Sequence, residues 1–179
     1  RVLYFMYGNR DVVLGPTLGQ TSGMALLSDP AVLVFGGERC WLWHGDALCL
    51  DDSGDMTFRA VVRTPEWQRQ FLKQPLEERQ AVARALRHNS ESRKRTGVTY
   101  ADLDTPATCR WLSATQTTTM IHGHTHRPAD HTLPNGLRRV VLSDWDASGQ
   151  PIRAEVLRLR LNGTHPPLMQ RLQTAQARL

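Results

Sequence analysis

The run Ile-His-Gly-His-Thr-His-Arg-Pro at 121–128 constrains the fold of this chain more than any other stretch. The Thr-Thr-Thr-Met segment before it is typical of a strand, and the Arg-Pro that ends it interrupts regular structure. Alternate side chains of an extended strand point to one side, so we expect His122, His124 and His126 to converge at a strand end. Neutral imidazole is the commonest metal ligand, and the run therefore predicts a metal site. A solvated polar loop is the alternative.

Composition indicates an ordinary globular chain of 179 residues, with 40% hydrophobic and 22% charged residues, which is long enough for one domain. No apolar run approaches the roughly 20 residues that cross a bilayer, and none resembles a secretory signal. We therefore expect a soluble protein or one bound to a membrane surface. Cys40, Cys49 and Cys109 form no CxxC pair. This argues against a disulfide framework or zinc knuckle and fits a reducing cytoplasm.

The net charge of +5 comes almost wholly from arginine, since Lys73 and Lys94 are the only lysines. The planar arginine side chain binds two oxygens at once and therefore suits phosphate and carboxylate groups. Nucleic acid, anionic lipid or a phosphorylated small molecule are the partners that this charge favours. Nucleic acid ranks last, because the arginines are scattered and not interleaved with aromatic residues.

Hydrophobic patterning predicts a mixed α/β chain. The predicted strands are 2–7, 31–35, 40–44 and 154–161, and a turn at 134–136 joins two more. The predicted helices lie within 64–95, where Pro75 separates two of them, and at 105–115. From residue 162 onward no pattern is evident. We expect a core formed by 1–63 and 98–161, a helical insertion at 64–97 and a C-terminal tail at 162–179.

The chain opens at Arg1 and runs at once into the apolar segment 2–7, which predicts a buried strand. A strand of this kind needs neighbours on both sides. We therefore expect the sequence to be the C-terminal part of a longer protein.

Three groups of polar residues follow apolar strands. Asn9 lies in Gly-Asn-Arg-Asp at 8–11, His44 in His-Gly-Asp at 44–46, and the histidine run follows the strand before residue 122. Sites in layered α/β folds gather at such strand ends. Each group alone is a weak signal, whereas the three together indicate one site.

These motifs, with Gly-His-Thr-His at 123–126, resemble the last three motif groups of the calcineurin-like metallophosphoesterases over roughly residues 2–146. The resemblance implies a four-layer αββα sandwich with a helical cap, and an enzyme with two metal ions. It also implies that Asn9, His44 and His124 hold one metal and His126 the other. A section N-terminal to this chain would supply the remaining ligands, including a bridging aspartate, so the chain is expected to lack part of the site.

Arg10 stands where most members of the family carry a histidine that protonates the leaving group. An arginine keeps its proton at working pH, but it stabilises charge on a phosphoryl group. Since a phosphate leaving group is already stable as an anion, Arg10 predicts cleavage of a pyrophosphate bond, with Arg10 and His122 stabilising the developing charge. Asp11 and Asp46 are expected to orient metal-bound histidines. An ion pair between Arg10 and Asp11 is the alternative.

Residues 44–52 and Phe58-Arg59 strengthen the resemblance to one branch of the family, which acts on a UDP-linked lipid in lipid A synthesis. The branch implies two Mn²⁺ ions, an amphiphilic UDP-lipid as substrate, and a cytoplasmic location peripheral to the bacterial inner membrane. The expected substrate contacts are Asn9, Arg10, Asp52, Ser90, Lys94 and His124. Ser90 and Lys94 continue the helical stripe of Val82 and Leu86, which ordinary helix packing also explains.

Two other functions remain open from the sequence. One is a metallophosphoesterase that acts on another nucleotide pyrophosphate, which would need no apolar groove. The other is a non-catalytic fragment or scaffold that keeps the fold without a working metal centre.

Overall fold

The structure is a computed structural model that describes residues 2–95, 101–163 and 165–177. Within these ranges the side chains of 55, 89–91, 93–95 and 165 are not described. The helices are α1 (Pro16–Ser22), α2 (Ser53–Val62), α3 (Pro65–Lys73), α4 (Leu76–Arg95) and α5 (Thr105–Ala114). The strands are β1 (Leu3–Met6), β2 (Met24–Leu27), β3 (Ala31–Phe35), β4 (Glu38–Trp43), β5 (Thr119–His122), β6 (Ala129–Thr132), β7 (Arg138–Val141), β8 (Trp145–Asp146), β9 (Arg153–Asn162) and β10 (His165–Gln173).

The central element is a five-stranded sheet with the order β3-β4-β5-β7-β6. Its inner strands β4, β5 and β7 run parallel, and β3 and β6 pair antiparallel at the edges. Parallel strands are normally covered on both faces, and every residue of β5 is buried. Within the described residues two smaller sheets accompany it, one of β8, β9 and β10 and one of β1 and β2. The mixed α/β fold predicted from the sequence is confirmed.

One face of the five-stranded sheet packs against α5. Trp41 and Met120 of the sheet form a buried cluster with Ala107 and Leu112 of the helix. The helix begins where its sequence predicts, because Asp104 accepts a hydrogen bond from the Ala107 backbone N–H and proline occupies the first turn. The helix thus directs its apolar side chains onto the sheet.

The opposite face of that sheet packs against the hairpin of β9 and β10. Cys40, Ile121 and Val140 contact Leu157 and Met169 of the hairpin. Alternate residues of β4 and β5 therefore enter different clusters, as expected for strands buried on both faces. Helix α5, the five-stranded sheet and the hairpin form three successive layers.

Most predicted elements are confirmed, including the β3–β4 hairpin, the break at Pro75 between α3 and α4, and strand β9. No pattern is evident in the sequence from residue 162 onward, yet β10 forms there and pairs antiparallel with β9. The reason is the pair Pro166-Pro167, which obscures the alternation and coincides with a register shift between His165 and Leu168. Helices α1 and α2 and strand β2 are not evident from the sequence pattern.

The first strand is present, but the prediction that it is buried is wrong for the described chain. Leu3 and Tyr4 are exposed, and Phe5 and Met6 are half-buried. Strand β1 pairs in parallel with β2, its one strand partner among the described residues. An apolar run predicts a strand, whereas its burial depends on which elements cover it. Among the described helices, none is long and apolar enough to cross a membrane.

Candidate metal centre

The ends of β4 and β5 bring two of the three motifs together. The strands are adjacent and parallel, with Trp43 level with His122, so that His44 and Gly123 emerge at the same edge. The Gly123 backbone N–H donates a hydrogen bond to the His44 carbonyl oxygen at 3.1 Å. The rings of His44 and His124 lie edge to face, with centroids 5.1 Å apart. Two imidazoles thus lie side by side at the carboxyl ends of parallel strands, where ligands of α/β sheets bind.

The loop after β1 supplies the third motif. A Cβ atom at Gly8 would lie 3.3 Å from His44 Cε1 and 3.0 Å from Asp11 Oδ2, so a side chain there would push these neighbours apart. The Gly8 backbone N–H donates to Asp11 Oδ2 at 3.0 Å, which closes the turn. Asn9, the next residue, lines a small cavity together with Asp46. The loop therefore packs against His44 through Gly8, the residue before Asn9.

His44 has the chemistry of a metal ligand. Burial is the main cause that lowers its pKa to about 4, so its imidazole is neutral near pH 7. Its Nε2 atom is buried and has no hydrogen-bond partner among the described residues. A neutral, buried and unpaired ring nitrogen has its lone pair available to a cation.

His122 lies in a different environment, although it belongs to the same run. It is 1% exposed, its Nδ1 lies 2.8 Å from the Gly123 carbonyl oxygen, and burial lowers its pKa to about 4. Gly45, with φ of +110°, covers the ring so closely that a Cβ atom there would lie 3.0 Å from His122 Nδ1. His122 is therefore an interior residue.

The prediction that one extended strand points all three histidines the same way is wrong. Strand β5 ends at His122, and both His124 and His126 adopt left-handed backbone, with φ of +64° and +53°. Positive φ is uncommon outside glycine and redirects each side chain. His124 consequently faces His44, whereas His126 Nδ1 lies 3.6 Å from Asp144 Oδ2.

Asp46 and Asp11 make contacts that the sequence did not predict. Asp46 pairs with Arg59 and Arg63, at 3.2 and 3.3 Å from its Oδ2. Burial, the largest influence, raises the pKa of Asp46, but attraction to His44, Arg59 and Arg63 outweighs it and leaves that pKa lowered. Asp11 closes the Gly8 turn. Orientation of a histidine by either carboxylate stays a prediction.

Asp144 is a carboxylate that the sequence analysis missed. It accepts two hydrogen bonds of 2.9 Å from Arg153, which are the main cause of its lowered pKa, and it faces His126. Strand β7 runs parallel to β5, so residues after it reach the same edge of the sheet. A polar residue following the apolar run 140–142 was the signal that could have identified it.

The other residues predicted for the site are Arg10, Asp52, Ser90 and Lys94. Arg10 is exposed in the turn after β1, and the described ion pairs include none between Arg10 and Asp11. Asp52 is half-buried just before α2, and its carbonyl oxygen accepts the Met56 backbone N–H. The side chains of Ser90 and Lys94 lie outside the described part of the structure.

The donor set fits a divalent metal only in part. Among the residues that the structure describes, no group of three or more His, Cys, Asp or Glu side chains is placed to hold a metal ion. His44 and His124 provide two adjacent imidazoles, and the neighbouring loop, which contains Asn9, approaches His44 at Gly8. The orphaned Nε2 of His44 is the observation that favours a cation here.

A parallel sheet with imidazoles at its strand ends is typical of ligand-binding and catalytic proteins of the layered α/β class. No protein-family model matches the chain. Comparison with curated proteins identifies hydrolases that are similar in sequence to this chain. A UDP-2,3-diacylglucosamine hydrolase of Chromobacterium violaceum is 47% identical over 145 residues, which is 80% of this chain and 61% of the relative.

Hydrolases of the same name from Chromohalobacter salexigens and Pseudomonas entomophila are 42% and 40% identical over 159 residues. Each alignment covers 86% of this chain, and 64% and 65% of the relatives. The chain is therefore similar to UDP-2,3-diacylglucosamine hydrolases over most of its length. It spans somewhat less than two thirds of the length of these relatives.

Proposed function

We propose that this protein hydrolyses the pyrophosphate bond of UDP-2,3-diacylglucosamine to lipid X and UMP, a step of lipid A biosynthesis. The observation that carries the proposal is the meeting of His44, His124 and the Asn9 loop at one sheet edge, in a chain related to hydrolases of that name. The geometry adds to the sequence similarity, because it brings together motifs that lie far apart along the chain.

The proposed cofactor is a pair of Mn²⁺ ions. Asn9, His44 and His124 would hold one ion and His126 the other. When bound, the metal lowers the pKa of a water molecule and stabilises charge on the α-phosphate. The chain supports metal binding at neutral pH, because burial lowers the pKa of His44 to about 4 and protons then compete weakly for its ring nitrogen.

The residues facing the substrate are proposed from their charge and position. Arg10 is exposed beside the Asn9 turn, and its guanidinium would stabilise the phosphoryl oxygens without giving up a proton. Asp52, Ser90, Lys94 and His124 are the further proposed contacts. His122 remains a predicted catalytic residue, although its burial favours support of the loop 123–126 over contact with substrate.

Helix α4 supports a lipid substrate. Val82 and Leu86 are 38% and 39% exposed, one turn apart on the same face. An acyl chain lying along this stripe would direct its polar end toward Ser90 and Lys94. We propose that 64–97 acts as the substrate cap, and that the protein binds peripherally to the cytoplasmic side of the inner membrane.

We also propose the four-layer αββα sandwich for this family's fold. Three successive layers support it: α5, the five-stranded sheet and the β9–β10 hairpin. A second helical layer outside the hairpin would complete the arrangement.

The test uses the full-length protein with UDP-2,3-diacylglucosamine and MnCl₂. Asn9→Ala and His124→Ala are each expected to lower kcat by about 100-fold or more, because loss of even an outer partner of a metal ligand costs roughly 10–100-fold. His131→Ala is the matched control, since His131 lies on the edge strand β6. Full turnover by Asn9→Ala and His124→Ala would contradict the proposed site. Equal turnover of a UDP-sugar without acyl chains would instead favour a hydrolase of other nucleotide pyrophosphates.

A further inference from the structure

Four charged side chains form a network around the loop that carries His44: Asp29, Asp46, Arg59 and Arg63. The carboxylate side chains are 2% and 3% exposed, and both arginines are mostly buried. The two arginines and the two aspartates give the network no net charge. Buried carboxylates are costly unless they are paired, so the arrangement of this network is tightly constrained.

Arg63 is the member that joins both carboxylates. Its NH1 lies 2.9 Å from Asp29 Oδ2, and its NH2 donates to Asp46 Oδ2 at 3.3 Å. The guanidinium presents separate donors in a fixed plane, so one side chain spans two acids. Arg59 also pairs with Asp46, with its Nε 3.2 Å from Asp46 Oδ2.

Asp29 connects this network to the proposed metal ligand. Its Oδ1 accepts the His44 backbone N–H at 2.7 Å, while Oδ2 faces Arg63. That hydrogen bond fixes the His44 backbone N–H to the Asp29 carboxylate at the end of β4.

We propose that Arg63 is a positioning residue for His44, because it holds Asp29 against the His44 backbone N–H and Asp46 beside the same loop. The inference deepens the proposed metal site and rests on the proposed function for its catalytic consequence. Arg63 lies between α2 and α3, so the network also ties the start of the proposed cap to the metal-binding edge.

The first test needs neither metal nor substrate. Arg63→Lys keeps the charge but removes the planar fork, and a single ammonium cannot span both carboxylates in the same way. Hydrogen exchange of the His44 backbone amide in the full-length protein is expected to accelerate about tenfold or more, since its acceptor is no longer held. Arg138→Lys is the matched control, made at the exposed ion pair with Asp130 on β6 and β7.

The second test measures binding of Mn²⁺ alone by calorimetry, together with kinetics. Partners that orient metal ligands typically contribute 10–100-fold to affinity or activity, so Arg63→Lys should weaken Mn²⁺ binding and lower kcat by about that factor. KM for UDP-2,3-diacylglucosamine should stay unchanged. A purely structural role would instead reduce the folded fraction without changing the properties of the folded protein.

If Arg63→Lys does not fold, Asp29→Asn tests whether the pair of Arg63 and Asp29 positions His44. Asparagine keeps an oxygen for the His44 N–H but loses the charge that pairs with Arg63, so a smaller acceleration of His44 exchange is expected. Unchanged His44 exchange in a folded variant overturns the positioning role. If the wild-type protein fails to cleave the UDP-lipid while His44 exchange still responds to Arg63→Lys, the proposed function fails and the positioning role stands.

Discussion

Helices α5 and α4 are both predicted from the sequence, yet the fold uses them differently. Helix α5 buries Ala107 and Leu112 against the five-stranded sheet. Helix α4 leaves Val82 and Leu86 exposed to 38% and 39%. The periodicity of a sequence thus predicts a helix, but not whether its apolar stripe enters the core. A stripe outside the core is available to a ligand, which is why we assign α4 to the proposed cap.

The largest expected difference comes from the same substitution in the two helices. Leu112 is 0% exposed, so Leu112→Ala should lower the free energy of unfolding by about 3 kcal/mol through lost burial and a residual cavity. Leu86→Ala should lower it by less than about 0.5 kcal/mol, as surface substitutions usually do. Urea denaturation of the two variants measures both values. Leu86→Ala is also expected to raise KM for the UDP-lipid. Equal destabilisation by the two variants would show that the α4 stripe is packed.

A smaller difference is expected at the helix N-caps. Asp104 accepts the Ala107 N–H at 2.6 Å at the start of α5, and Thr64 accepts the Trp67 N–H at 3.3 Å at the start of α3. Asp104→Ala should destabilise the whole protein by about 1 kcal/mol, because α5 is part of the core. Thr64→Ala should lower the free energy of unfolding by only a few tenths of a kcal/mol. Its main effect should be faster exchange of the Trp67 backbone amide. Asp104→Ser, which keeps a cap, serves as the control. A larger global loss for Thr64→Ala would reverse the comparison.

The third effect is expected from acid, and it is reduced by solvent screening because the Asp102 side chain is 43% exposed. Asp102 precedes α5 and accepts two hydrogen bonds from Arg139, at 2.7 and 2.9 Å, which are the main cause that lowers its pKa to about 2. The unfolded chain takes up this proton near pH 4, before the folded protein does, so the stabilisation is present above pH 4. It is lost progressively as the pH falls from about 4 to 2.

Urea midpoints at pH 5, 4 and 3 measure this effect. Asp102→Asn should show a shallower loss of stability than the wild-type protein over this range. Glu66→Gln, at the exposed pair with Arg69 on α3, should leave the pH dependence unchanged, because exposed ion pairs contribute little. If the urea midpoints of Asp102→Asn and the wild type fall equally with pH, the Asp102–Arg139 pair does not cause the acid sensitivity.

The structure brings His44 against His124, and it brings Gly8, the residue before Asn9, against His44. The sequence predicted Asn9, His44 and His124 for the site but not their arrangement. It placed His122 beside His124 by strand alternation, although β5 ends at His122 and the next histidines have positive φ. It did not indicate Asp29 or Arg63, because neither belongs to a recognisable motif. Each makes its contacts with residues far away in the sequence.

By itself, the sequence determined the local features of this protein. Apolar alternation, proline breaks and capping residues specify the hairpin, the helices and the strand-end motifs, because these depend on neighbours a few positions away. Tertiary structure alone decided that β10 joins β9, that the α4 stripe stays exposed, and that Arg63 links Asp29 to Asp46. These outcomes depend on contacts between residues far apart along the chain, and the order of strands in the sheet decides which of them meet.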